Sequence, residues 1–130
     1  LRKDVWIADS INWNRRKMAD SNVLLSCGTD LPLLIDDSES IYHAVGGNFP
    51  EGGEPFNKQN MLTIPEVTNA WSAGGAYNLY QEKEAGTLEK GKKADIVVFD
   101  GNLFETAIEE IRSRKVEVTF LNGRIVYSHE

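Results

Sequence analysis

The sequence predicts an α+β chain whose parts belong to a larger α/β protein. A helix, a strand buried on both faces and a second helix follow one another between residues 11 and 46, and a hairpin is predicted near the C-terminus. A strand buried on both faces needs parallel neighbours and helices over both faces. The chain supplies too few strands for that sheet or for an independent sandwich. We therefore expect the end of a longer protein, with one α/β unit of a barrel followed by part of a small β domain.

Composition and charge exclude several classes of function. The chain has 130 residues, 41% of them hydrophobic, and a net charge of −6, which is ordinary for one soluble domain. No stripe of Lys and Arg is present, so we expect no nucleic-acid partner. The apolar runs are too short for a bilayer and no signal peptide is evident, so we expect no membrane contact. The single Cys excludes an intrachain disulfide, which favours a cytoplasmic location.

The first half contains the predicted α/β unit. A helix is expected over residues 11–20, with Asp9-Ser10 as its N-cap. The apolar run 23–27 predicts the buried strand, because it shows no alternation with polar residues. Asp36 and Glu39 have the spacing of a capping box, and the helix that they begin is expected to end at Gly46-Gly47. Residues 46–62 are rich in Gly, Pro and polar side chains and predict a long loop.

The second half begins with the strongest helix start in the chain. Thr63 and Glu66 have capping-box spacing with Pro65 in the first turn, and the helix is expected to reach about Gln81. Gly74-Gly75 inside it weakens the helix by roughly 1 kcal/mol per Gly relative to Ala. Either close packing against another element or a locally weak helix would account for the pair.

The last third is expected to be mainly antiparallel β structure. Residues 94–100 predict a strand and residues 104–112 a short helix. Residues 116–120 and 124–127 flank Asn122-Gly123, the pair typical of a two-residue hairpin turn. Asp95 and Asp100 are interpreted as turn or edge carboxylates, not as a catalytic pair.

Asp30 is the candidate functional residue. It lies just past the C-terminal end of the predicted strand, in Cys27-Gly28-Thr29-Asp30-Leu31-Pro32. Catalytic residues collect at the C-terminal edge of the strands in α/β folds, but Asp also caps turns and helices. Both interpretations are open from the pattern alone. Cys27 is interpreted as a small buried residue and not as a nucleophile.

Three stretches resemble the C-terminal end of the amidohydrolase superfamily. Residues 25–32 are similar to its strand-eight motif, with Leu31 where close relatives usually have Trp. Residues 63–77 and 84–100 resemble its helix and its Gly-Lys-x-Ala-Asp signature, and residues 118–127 resemble its closing hairpin. The most similar group is amidohydrolase-3-like and contains N-acyl-amino-acid deacylases and formamide deformylases.

The resemblance implies a (β/α)8 barrel with a composite β-sandwich. Residues 1–80 would be the end of the barrel and residues 81–130 the C-terminal part of the sandwich. Asp30 would bind a divalent metal, most often zinc, and would shuttle a proton during hydrolysis of a small-molecule amide through metal-activated water. Leu31 would contact the substrate.

The other metal ligands of the family have no counterpart in the chain. His43 and His129 lack ligand spacing to Asp30, and zinc in a catalytic site needs about three protein ligands. We therefore expect the isolated chain to hold no metal and to be inactive. The alternative is a non-catalytic α+β interaction module that forms homo-oligomers through its unpaired edges.

Overall fold

The computed structural model describes residues 14–29, 37–46 and 58–129. Within these ranges the chain forms four α-helices and one antiparallel sheet of three strands. The helices are α1 (Arg15–Asp20), α2 (Asp37–Gly46), α3 (Ile64–Asn69) and α4 (Gly75–Asn78), and the strands are β1 (Ile96–Phe99), β2 (Val116–Leu121) and β3 (Arg124–Ser128). A π-helical turn, Ala70–Gly74, joins α3 to α4, and 3₁₀ helices span Lys58–Asn60 and Ile108–Ser113.

Asn14 is the N-cap of helix α1. The Asn14 side chain accepts a hydrogen bond of 3.1 Å from the Lys17 backbone N–H, which satisfies a donor of the first turn. The predicted cap at Asp9-Ser10 lies outside the described residues. Helix α2 agrees with its prediction and ends at Gly46, although Asp36 of its capping box is also outside the described residues.

The predicted buried strand over residues 23–27 is not formed. Residues 23–29 have no regular secondary structure, and the side chains of Val23 and Leu24 are 51% and 46% exposed. A strand needs a neighbour for its backbone hydrogen bonds, and none of the described elements pairs with this segment. The prediction was wrong for this chain because the apolar pattern of residues 23–27 does not supply the partner strands.

The helix from Ile64 to Asn78 confirms the capping box. The Thr63 hydroxyl accepts from the Glu66 N–H at 3.4 Å, and the Glu66 carboxylate accepts from the Thr63 N–H at 2.8 Å. Backbone angles stay in the right-handed helical region through Asn69, Gly74 and Gly75. The three segments therefore form one helix with a widened turn in its middle.

The sheet has the order β1-β2-β3, with every pair antiparallel. The β2–β3 hairpin turns at Asn122 and Gly123, whose φ angles are 51° and 77°. Two positive φ angles are typical of the type I′ turn for which Asn-Gly is the favoured pair. The predicted hairpin is confirmed.

The predicted helix over residues 104–112 is shorter and of a different type. The Asn102 side-chain oxygen accepts from the Phe104 N–H, and the Asn102 backbone carbonyl accepts from the Thr106 hydroxyl. These bonds hold residues 102–106 as a turn, which is the usual competition between an Asn side chain and helical hydrogen bonding. The 3₁₀ helix then begins at Ile108.

Helix α2 lies at the centre of the hydrophobic core. Its buried residues pack with side chains from α3 and from the 3₁₀ helix of residues 108–113; the core cluster is Ile41, Tyr42, Ala44, Val45, Leu62, Val67, Leu103 and Ile111. Arg112 donates to Glu39 at 2.7 and 2.6 Å and lies over the Tyr42 ring at 4.9 Å, which ties the same two elements together at the surface.

The domain boundary at residue 80 stays a prediction.

No helix within the described ranges has the length and apolar character to cross a membrane.

Candidate functional site

The candidate site is the segment 23–29 and the two residues that follow it in the sequence. Asp30 and Leu31, the predicted metal ligand and substrate contact, both lie outside the described residues. Their roles therefore stay predictions. The structure describes how the segment leading to them is held.

The first contact that holds the segment is at Gly74. A Cβ atom at this position would overlap the carbonyl oxygen of Leu25, so only glycine allows the backbone of the segment to lie this close to the helix. At Gly75, by contrast, a Cβ would meet nothing within 4 Å. Close packing thus accounts for Gly74 but not for its neighbour.

The second contact is a backbone hydrogen bond to the π-helical turn. The Cys27 N–H donates to the Ala70 carbonyl at 3.3 Å, and Ala70 is 1% exposed. A π-helical turn departs from the α-helical hydrogen-bond pattern and is frequent at functional sites. The pattern of residues 70–75 gave no sequence signal for this turn beyond the two glycines.

Cys27 and Arg15 lie close enough for their charges to interact. Burial raises the pKa of the Cys27 thiol, and the nearby Arg15 charge opposes that rise. Burial likewise lowers the pKa of Arg15. A half-buried thiol with a raised pKa is a poor nucleophile at neutral pH, which agrees with the interpretation of Cys27 as a packing residue.

An ion pair between Arg16 and Glu66 fixes α1 to the start of α3. The guanidinium donates to both carboxylate oxygens, at 2.7 and 2.5 Å. The hydrogen bonds from Arg16, and next the Thr63 backbone, lower the pKa of Glu66 to about 2. Fifty positions separate the partners in the sequence, and no local pattern identifies such a pair.

This ion pair gives a pH prediction. Because the pKa of Glu66 falls from 4.5 to about 2 on folding, its contribution to stability is present above about pH 4.5 and is lost as the pH falls toward 2. We expect the midpoint of thermal unfolding to fall less between pH 5 and pH 2 in Glu66→Gln than in the wild type. The exposed Glu82→Gln variant is the control, and an unchanged acid dependence in Glu66→Gln would contradict the assignment.

The remaining candidate side chains have structural partners. Asp95 accepts the Asn122 N–H at 2.7 Å and so stabilises the hairpin turn, and Asp100 lies 3.8 Å from Arg114. Both agree with the prediction of turn or edge carboxylates. His43 lies on α2 with its Nε2 3.4 Å from Glu39. For His129 the described bond is from the backbone, whose N–H donates to the Glu117 backbone carbonyl.

Metal-binding side chains do not cluster in the described part of the chain: no three His, Cys, Asp or Glu residues lie together there in a way that could hold a metal ion. The predicted site residues Asp30 and Leu31 lie outside the described ranges, and the structure describes only the segment 23–29 that precedes them. A complete metal site would therefore need ligands from outside the described ranges.

Comparison with known proteins identifies the class. The fold of this chain is similar to that of the crystal structure of an amidohydrolase from Thermotoga maritima MSB8, with a TM-score of 0.66 and 18% identity over 90% of this chain and 26% of that chain. At this identity the likeness shows the fold. The family model described as "Amidohydrolase family" matches residues 7–127, and the chain belongs to this family.

Curated relatives agree with the family. A Bacillus subtilis protein named as an amidohydrolase, YtcJ, is 26% identical over 94% of this chain and 25% of its own length. The imidazolonepropionase of Bdellovibrio bacteriovorus is 30% identical over 65% of the chain and 22% of its length. The N-substituted formamide deformylase of Arthrobacter pascens is 25% identical over 86% of the chain and 21% of its own length. The chain thus spans a fifth to a quarter of the length of these relatives.

Proposed function

We propose that the chain is the C-terminal portion of a metal-dependent hydrolase that cleaves a C–N bond other than a peptide bond in a small-molecule amide. The observation that carries the proposal is the family match over residues 7–127. The relatives named as a formamide deformylase and an imidazolonepropionase support the bond type. Because the chain spans only a fifth to a quarter of these proteins, the activity is assigned to the full-length protein that carries it.

Asp30 is the residue of this chain that takes part in the chemistry. The divalent metal, zinc by preference, would lower the pKa of a water molecule toward neutrality when bound. The Asp30 carboxylate would bind that ion, accept the proton released as the water attacks the amide carbonyl, and deliver it to the leaving amine nitrogen. One carboxylate cannot form the site alone, since catalytic zinc takes about three protein ligands.

The exposed sheet supports the composite β-sandwich as a further part of the proposal. Neighbouring residues of a strand point to opposite faces, and Val97 and Val98 are 47% and 42% exposed. Ile125 and Val126 on β3 are more exposed still. Apolar side chains therefore lie uncovered on both faces of the sheet, as expected where strands from another part of a longer protein complete the layer.

The test is hydrolysis by the full-length protein before and after metal removal. We expect it to hydrolyse the C–N bond of at least one compound in a panel of N-acyl amino acids, N-substituted formamides and cyclic amides. Dialysis against a chelator should abolish this activity, and added Zn²⁺ should restore it. Activity that survives complete chelation would contradict the metal-dependent mechanism.

The uncovered sheet also favours a second candidate, a non-catalytic module that forms homo-oligomers. The two candidates differ in whether the wild-type protein hydrolyses an amide. In the module, Val126→Glu should convert an oligomer to a monomer in light scattering, and no amide should be hydrolysed. In the hydrolase, amide turnover by the wild-type protein decides for the first candidate.

A further inference from the structure

We propose that the π-helical turn Ala70–Gly74 positions the segment 23–29, and through it Asp30, with Gly74 as the positioning residue. The inference rests on the proposed role of Asp30, which follows Thr29 directly in the sequence.

The segment depends on this helix for its placement. It forms no sheet hydrogen bonds with any described strand, so its backbone has to be held by other means. Cys27 donates its N–H to the Ala70 carbonyl at 3.3 Å. Two residues earlier, the Leu25 carbonyl oxygen lies against the bare Cα of Gly74. Both contacts fall on the same π-helical turn, one at each end of it.

The opposite side of the helix is held as well. Gly86 adopts a φ of +91°, and a Cβ there would come within 3.0 Å of the Ala73 Cα and 3.1 Å of the Ser72 carbonyl oxygen, both in the π-helical turn. The Glu84 carbonyl accepts the Lys93 N–H at 2.7 Å, which closes the loop that carries Gly86. The turn is therefore packed between this loop and the segment 23–29. A methyl group added at residue 74 would clash with the segment 23–29, and the helix cannot move away from this clash because the loop that carries Gly86 packs against its other side.

Gly74→Ala and Gly75→Ala form a matched pair. Both place one methyl group on the same right-handed helical backbone. The methyl at residue 74 must displace the Leu25 carbonyl, whereas the methyl at residue 75 meets nothing within 4 Å. A displacement of about 1 Å at a catalytic group can lower the rate about 10²-fold.

The experiment uses the full-length, metal-loaded protein. We expect Gly74→Ala to lower kcat about 10²-fold, to weaken Zn²⁺ binding in a competition with a chromogenic chelator, and to speed hydrogen exchange at the Cys27 amide. Gly75→Ala should leave all three close to the wild type. Equal behaviour of the two variants in zinc affinity and in Cys27 exchange would overturn the proposal.

Hydrogen exchange in the wild type keeps the proposal testable if Gly74→Ala does not fold. The Cys27 amide should be protected in the metal-free protein, because its partner is the Ala70 carbonyl and not the metal site. Exchange at the rate of an unstructured peptide in that state would overturn the proposal. A separate result would contradict the proposed function alone. If Asp30→Asn keeps full turnover, Asp30 has no role in metal binding or proton transfer. If Gly74→Ala in the same protein still speeds exchange at the Cys27 amide, the turn nevertheless positions the segment 23–29.

Discussion

Replacing Asp30 by Asn in the full-length protein is expected to lower kcat about 10²- to 10⁴-fold, the range that a general acid–base residue contributes. Asn keeps the size of the side chain but can neither accept the proton of the attacking water nor carry a charge to the metal. KM should change much less, because the carboxylate acts on the reacting atoms and not on the rest of the substrate. The measurement is steady-state hydrolysis of the best amide from the panel.

The control is Asp100→Asn. Asp100 also carries a carboxylate but lies against Arg114 at the end of β1, and its replacement should leave kcat unchanged. Turnover retained by Asp30→Asn would remove the proton-shuttle role. A pH–rate profile adds a second test, since loss of the shuttle should abolish the acidic limb of the wild-type curve.

The largest expected effect on stability is at Ile111. Its side chain is fully buried, with 0% exposure, in the core that joins α2 to the 3₁₀ helix of residues 108–113. Ile111→Ala removes buried methyl and methylene groups and leaves a cavity, and such changes destabilise by about 2–5 kcal/mol. We expect the urea midpoint of unfolding to fall accordingly.

Ile125→Ala is the matched control. The same substitution on β3 changes a side chain that is 63% exposed, and its effect should stay within about 0.5 kcal/mol. If the two variants unfold at the same urea concentration, the core described around Ile111 is not what stabilises the chain. If Ile125→Ala lowers the urea midpoint more than Ile111→Ala does, the face of the sheet around Ile125 is buried in the protein that was measured.

Local signals predicted the elements whose hydrogen bonds are local. Thr63 and Glu66 form the capping box that their spacing predicts, and Asn122-Gly123 forms the hairpin turn. The family resemblance also holds. Each of these rests on residues a few positions apart, or on motifs that lie within the chain.

The errors arose where the structure depends on partners distant in sequence. The apolar run 23–27 has the composition of a buried strand, but a strand forms only beside another strand. Contacts between Leu25 and Gly74, and between Arg16 and Glu66, join positions about fifty residues apart. The composition of residues 64–78 could not reveal the π-helical turn, since its glycines are equally compatible with a weak α-helix. The role of Asp30 rests on the family motif and on the placement of the segment before it.

Metal affinity tests the central claim most directly, since that claim is that this chain supplies a metal ligand at Asp30. The zinc content and the zinc dissociation constant of the full-length protein should be measured for the wild type and for Asp30→Ala, with Asp100→Ala as the control. The account predicts that Asp30→Ala raises the Kd for Zn²⁺ by more than about 10-fold, a loss at least as large as that from removing a residue that only supports a ligand. Equal zinc content and equal Kd in Asp30→Ala and the wild type would contradict it.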